Sequence, residues 1–166
     1  WRGIGEFVVR HPHIRNLFGA VSISQDYRAL SRDLLIRFLS RCQCDPKLAA
    51  RISPRKPYRA SKGRLRRLGH NAEALAALHT IEDISFLVSE LEKDGKGVPI
   101  LIRHYLKLNA KFIHFNVDRH FSNVVDGLIV VDLTQADPRI LQRFMGKAGW
   151  RQFQDGVQGR TRKLSA

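Results

Sequence analysis

Asp118 and His120 place a carboxylate and an imidazole two residues apart, and Asp126 follows shortly after. With Arg119 between them, these groups could exchange a proton with a substrate or hold its amine. The same residues equally suit a polar turn, with Asp118 and Asn116 satisfying backbone groups. Arg103 and Tyr105 precede them on a stretch with helical apolar spacing. Tyr105 shares a face with Leu101 and Leu108 there, so it also suits a core position with its hydroxyl at the edge.

Other patterns fall short of a known chemistry. Cys42-x-Cys44 lacks a second cysteine pair or a histidine cluster at finger spacing, so no zinc site is expected. GRLRRLG lacks the Lys-Ser/Thr ending of a phosphate-binding loop, and Gly3-x-Gly5 lacks the third glycine of a dinucleotide fingerprint. No G-x-S-x-G elbow is present. None of the histidines begins the His-x4-Asp pattern of glycerolipid O-acyltransferases; His114 and Asp118 are separated by three residues.

Charge supplies a different signal. The chain of 166 residues has 29 Lys or Arg against 15 Asp or Glu, a formal net charge of +14. Nine of the cations fall between Lys47 and Asn71 with no acid among them, leaving +5 for everything else. Pro54, Pro57, Gly63 and Gly69 break regular structure there, so residues 45–72 read as a mobile basic linker. Such a segment meets an anionic partner (nucleic acid, lipid headgroups or an acidic protein) or serves only as a solvated connector.

The elements that would position these groups alternate. Ile4 to Val9 reads as the end of a helix stopped before Pro12, and LFGAVSIS, residues 17–24, as a strand. Ser31–Arg41 has Leu34, Leu35, Phe38 and Leu39 on one helical face. After the linker, Thr80 and Asp83 form a capping-box pair for a helix ending near Gly95. Pro99 opens a second helix, Ile100–Leu108, closed by Asn109. Phe112–Val117 and Gly127–Leu133 read as strands, and Asp137–Pro138 starts a last helix that Gly146 ends. The blocks on either side of the linker give an α/β or α+β class. At 43% apolar and 27% charged residues, the composition is that of a globular domain. Length favours one domain over residues 1–166. No apolar run approaches the ~20 residues of a membrane span, and no signal peptide is read at the start. A cytoplasmic protein is the expectation. Since the sequence lacks an initiator Met and opens within a helix, a longer parent protein is expected too.

GVPILIRHYLKLNAKFIHFNVDRHFSNVVDGLIVVDL, residues 97–133, resembles the later part of the ornithine-lipid-type N-acyltransferases and the related hemolysin-like proteins of the GNAT-like superfamily. The matching positions are Pro99, Leu101, Arg103, Tyr105, Leu106, Leu108 and Ala110, then Asp118, Phe121 and Asp126. WRGIGEFVVRHPHIRNLFGAVSIS, at the start, resembles the family's Trp-x-Gly-Ile helix and its following strand. Ala20, Asn109 and Arg119 depart from the residues common there, and the family's donor-binding strand and glutamate-bearing segment would precede Trp1.

The resemblance implies a GNAT-like N-acyltransferase fold, or its later part alone, with a mixed sheet flanked by helices. It implies fatty acyl transfer by the full-length bacterial enzyme from an acyl carrier protein or coenzyme A thioester to an amine such as ornithine, in aminolipid synthesis. No permanently bound cofactor or metal is expected. Asp118, Tyr105 and Asp126 would be catalytic, and Arg103, His120 and Phe121 would bind substrate, all in one neighbourhood. Arg55, Lys56, Arg59, Lys62, Arg64, Arg66 and Arg67 would meet an acidic carrier protein or the anionic inner-membrane surface. The alternative is a basic module without activity that binds nucleic acid or an anionic membrane. Nucleic acid is disfavoured, because Tyr58 is the one aromatic of the basic stretch.

Overall fold

Period-3.6 apolar spacing and period-2 alternation become helices and strands where the sequence places them. The computed structural model describes residues 2–61, 63 and 78–164. Helix α1 (Arg2–Arg10) precedes strand β1 (Asn16–Ile23), helix α2 (Ala29–Cys42) and the short helix α3 (Pro46–Ala49). Helices α4 (Ile81–Leu91) and α5 (Ile100–Lys107) lead to strands β2 (Lys111–Asp118) and β3 (Val124–Asp132), then helix α6 (Pro138–Leu164). The class is therefore mixed α/β, with a small antiparallel sheet and flanking helices compatible with part of a GNAT-like fold. Among the described residues, no helix is long and apolar enough to cross a membrane.

The chain divides into two compact units. One comprises Trp1–Leu17, Lys107–Ala110 and Val131–Ala166; the other comprises Phe18–Leu106 and Lys111–Val130, so it draws on both sides of the basic stretch. In the first, α1 packs on α6 through close backbone approach. A Cβ at Gly5 would stand 2.7 Å from the Phe144 carbonyl oxygen, and one at Gly149 would stand 2.7 Å from Val9 Cγ2. Gly146 (φ 74°) interrupts α6, but helix resumes beyond it, where the sequence suggested an end. Phe153, on that second stretch, is buried.

The second unit holds the sheet, in the order β1-β3-β2. Leu34, Leu35, Phe38 and Leu39 of α2, Ile84 and Val88 of α4 and Ile102 of α5 form one core with Val21, Ile23, Phe112, Phe115, Val125 and Ile129 of the strands. Thus one face of the sheet carries the helices. The Phe112 and Phe115 rings stack at 5.3 Å over Gly127, where a Cβ would come within 2.9 Å of both. Thr80 and Asp83 complete the expected capping box, and their hydrogen bonds hold the Asp83 carboxyl below its ordinary range. Helix α4 ends at Leu91 and not at Gly95, since Glu92 leaves the helix and its carboxylate accepts the Arg28 N–H. Asn109 (φ 58°) closes α5 as expected.

The basic stretch departs from a mobile linker over its first part. Sheet edges need partners for their backbone groups, and residues 43–58 supply them to β2. Phe112 donates to the Gln43 carbonyl, Tyr58 to Phe115 and Val117 to Lys56, while Pro57 bridges Asn116 antiparallel. The Tyr58 hydroxyl donates to the wholly buried Asp33 (2.6 Å), tying this edge to α2. Tyr58→Phe removes one donor from a buried carboxylate and should cost about 2 kcal/mol. A denaturant midpoint unchanged from wild type would contradict this anchoring.

Candidate functional site

Pleating sends alternate side chains to opposite faces, so the neighbours of the core residues form a second face, turned away from α2, α4 and α5. On β1 this face carries Ser22, on β3 Asp126 and Leu128, and on β2 His114 and Asn116. The Ser22 hydroxyl donates to Asp126 Oδ1 at 2.5 Å. Asn116 stands directly opposite Asp126 in the β2–β3 register. Its Oδ1 accepts the Lys56 N–H at 2.7 Å, and its Nδ2 donates to the Val117 carbonyl. A polar row thus crosses the sheet: Ser22, Asp126, Asn116 and the Lys56 backbone.

His114 flanks the row opposite Leu128. Its Nε2 lies 2.9 Å from the Ala49 carbonyl oxygen. A carbonyl accepts only, so the contact keeps a proton on Nε2. At the centre of the row, Asp126 is half-buried and has a second carboxylate oxygen beyond the one that Ser22 holds. Chemically, this is an oriented carboxylate on a sheet surface, able to hold an ammonium group or accept a proton from one.

The expected single neighbourhood is not what the sheet builds. Tyr105 packs against the helix-covered core. Arg103 reaches Glu82 of α4 at 3.6 Å, an ion pair within the helix layer. Both therefore lie across the sheet from Asp126, because its neighbours Val125 and Gly127 face the core. Sequence proximity suggested one cluster, but one-residue steps along a strand reverse the face. Asp118 closes β2 opposite Val124, on the same face as Asn116 and Asp126, and its Oδ1 caps the following turn by accepting the N–H groups of His120 (2.8 Å) and Phe121 (3.1 Å). This is the polar-turn arrangement. His120 and Phe121 extend from that turn into solvent.

Of the expected anion-binding residues, Arg55, Lys56 and Arg59 are exposed on the segment along the β2 edge. Lys62, Arg64, Arg66 and Arg67 lie outside the described residues. Among the described residues, no group of three His, Cys, Asp or Glu side chains could hold a metal ion. Cys42 and Cys44 are free thiols; burial, with Asp45 adding to it, pushes the Cys44 thiol up. Ser22 and His114 carry no role in the sequence reading. Alternation within VSIS already set Ser22 on the face opposite Val21 and Ile23. Its pairing with Asp126, far along the chain, had no local signal.

No protein-family model matches the chain, and no solved structure matches it. Curated relatives include a glycine N(alpha)-acyltransferase of Bacteroides thetaiotaomicron, 27% identical over 145 residues, which are 84% of this chain and 41% of that protein. Another, of the same name, is from Phocaeicola vulgatus: 25% identical over 144 residues, 84% of this chain and 42% of that protein. The chain spans about two fifths of the length of these relatives. The likeness is to proteins named as acyltransferases.

Proposed function

We propose that the protein takes part in N-acyl transfer, moving a fatty acyl group from an acyl thioester to the α-amine of a small amino acid. The observation that carries this proposal is the likeness to two glycine N(alpha)-acyltransferases across 84% of the chain. The resemblance of residues 97–133 to ornithine-lipid N-acyltransferases agrees on the reaction and differs on the acceptor. Glycine and ornithine are therefore the two acceptors to compare.

In the proposed reaction, the neutral amine attacks the thioester carbonyl carbon, and a C–N bond forms as the carbonyl becomes an oxyanion. Collapse breaks the C–S bond. The proton lost by the amine passes through Asp126 to the departing thiolate, giving an amide and a free thiol. Ser22, donating to one Asp126 oxygen, leaves the other to face the amine. No covalent enzyme intermediate is required. The donor is an acyl thioester of a carrier protein or of coenzyme A, both anionic and both suited to the cations of residues 47–67. It enters as substrate, with no resident cofactor assigned. Arg103 and Tyr105 serve the helix layer in this scheme, and Asp118 serves the turn.

Lipid extracts from cells with and without the complete gene test the proposal. An N-acyl amino acid should be present only with the gene, and its head group identifies the acceptor. Matching extracts with no aminolipid difference would overturn it.

A further inference from the structure

The β2–β3 turn presents a large apolar side chain to solvent from an ordered backbone. Phe121 is 67% exposed. Asp118 Oδ1 holds the turn from inside by accepting two N–H groups, and the Val124 N–H closes it on the Phe121 carbonyl at 3.1 Å. The arrangement therefore fixes the position from which the ring projects.

Cations surround this tip. Arg119 and His120 are exposed within the turn. Antiparallel pairing sets Lys56 against Val117 and carries Arg55 to the level of the turn, and both side chains are exposed. Across residues 53–57 and 118–123, Asp118 is the one carboxylate, and the turn's own N–H groups occupy its Oδ1. At the same end of the sheet, Asp26 accepts the Ser24 hydroxyl. The other exposed phenylalanines of this unit lack such a rim. Phe86 shares the exposed side of α4 with Glu82, Asp83 and Glu90, and β1, which carries Phe18, has no charged residue.

An aromatic side chain ringed by cations matches the interface of an anionic bilayer, where an apolar group enters the acyl boundary and cations meet phosphates. We infer that the β2–β3 turn is a membrane-docking tip: Phe121 enters the lipid interface while Arg55, Lys56 and Arg119 engage anionic headgroups. Base stacking is the weaker match, because the tip offers one ring and no platform of successive aromatics.

Co-sedimentation with vesicles tests the inference, using the complete protein at low salt. Its readout is binding, so it stands or falls separately from acyl transfer. The protein should bind phosphatidylcholine vesicles containing about a third phosphatidylglycerol and not phosphatidylcholine alone. Phe121→Ser should weaken that binding about tenfold. Each of Arg55→Gln and Lys56→Gln should weaken it about fivefold, with a smaller effect at high salt. Phe86→Ser, on the acidic face, should bind as wild type does. Phe121→Trp gives a second readout that tolerates instability in the serine variant: its emission should shift to the blue on anionic vesicles. Wild-type vesicle binding by Phe121→Ser, or Phe121→Trp emission unmoved by anionic vesicles, would overturn the inference.

Discussion

Asp126→Asn is expected to lower acyl transfer at least about a hundredfold while the protein stays folded, since a positioned general base contributes roughly 10²–10⁴ in rate. The substitution keeps the shape of the side chain and leaves an oxygen to accept the Ser22 hydroxyl, now 2.5 Å from Asp126 Oδ1. It removes the group that takes the amine's proton. The loss should fall on kcat, with the KM for the thioester donor little changed, because the donor does not rely on that carboxylate in the ground state. Asp118→Asn is the informative comparison. An amide oxygen still accepts the His120 and Phe121 N–H groups, so that variant should turn over at close to the wild-type rate. Loss of activity in Asp118→Asn with retention in Asp126→Asn would move the chemistry from the sheet face to the turn.

Phe112→Ala should be the most destabilising single change in the second unit, at about 4 kcal/mol. The ring is 1% exposed and stacks on Phe115, and the two lie over Gly127. Truncation would empty the space between the sheet and its helices at the position where β2 also meets the 43–58 segment. The Phe112 N–H donates to Gln43 and its carbonyl accepts from Asp45, so the strand that loses its anchor carries the edge segment with it. Chemical denaturation followed by circular dichroism reads the effect. A midpoint within about 1 kcal/mol of wild type would mean that the cavity collapses and that the core is less tightly fitted than this packing implies.

Much of the fold was legible because local rules govern it. Thr80 and Asp83 announced the start of α4, Asn109 the end of α5, and the Val21, Ile23 alternation the inward side of β1. The end of α4 was not legible, since it depends on Glu92 meeting Arg28, a contact between distant segments. The docked character of residues 43–58 was hidden by their proline and charge content, which favours a loop. What orders them is the backbone of β2, and composition does not report that. Continued helix after Gly146 was likewise masked by a residue that does interrupt α6.

The site was legible only in part. Asp126 stood out as a carboxylate beside an apolar strand. Grouping it with Arg103 and Tyr105 treated nearness in sequence as nearness in space, whereas Asp118 does share its sheet face. Face alternation divides that group: Arg103 and Tyr105 go to the helix layer, while Asp118 and Asp126 share the opposite face, Asp118 at the strand end with its Oδ1 held by the turn and Asp126 with Ser22 and Asn116. The row it joins comes from three strands and became visible only with their register.

The central claim is that this sheet face serves N-acyl transfer to an amino acid. Incubating the protein expressed from its complete gene with an acyl thioester and either glycine or ornithine, and measuring amide and free thiol together by mass spectrometry, tests it most directly. The account predicts one amide per thiol released, dependent on the amino acid and lost in Asp126→Asn. Thiol release without amide, or amide formation undiminished in Asp126→Asn, would contradict it.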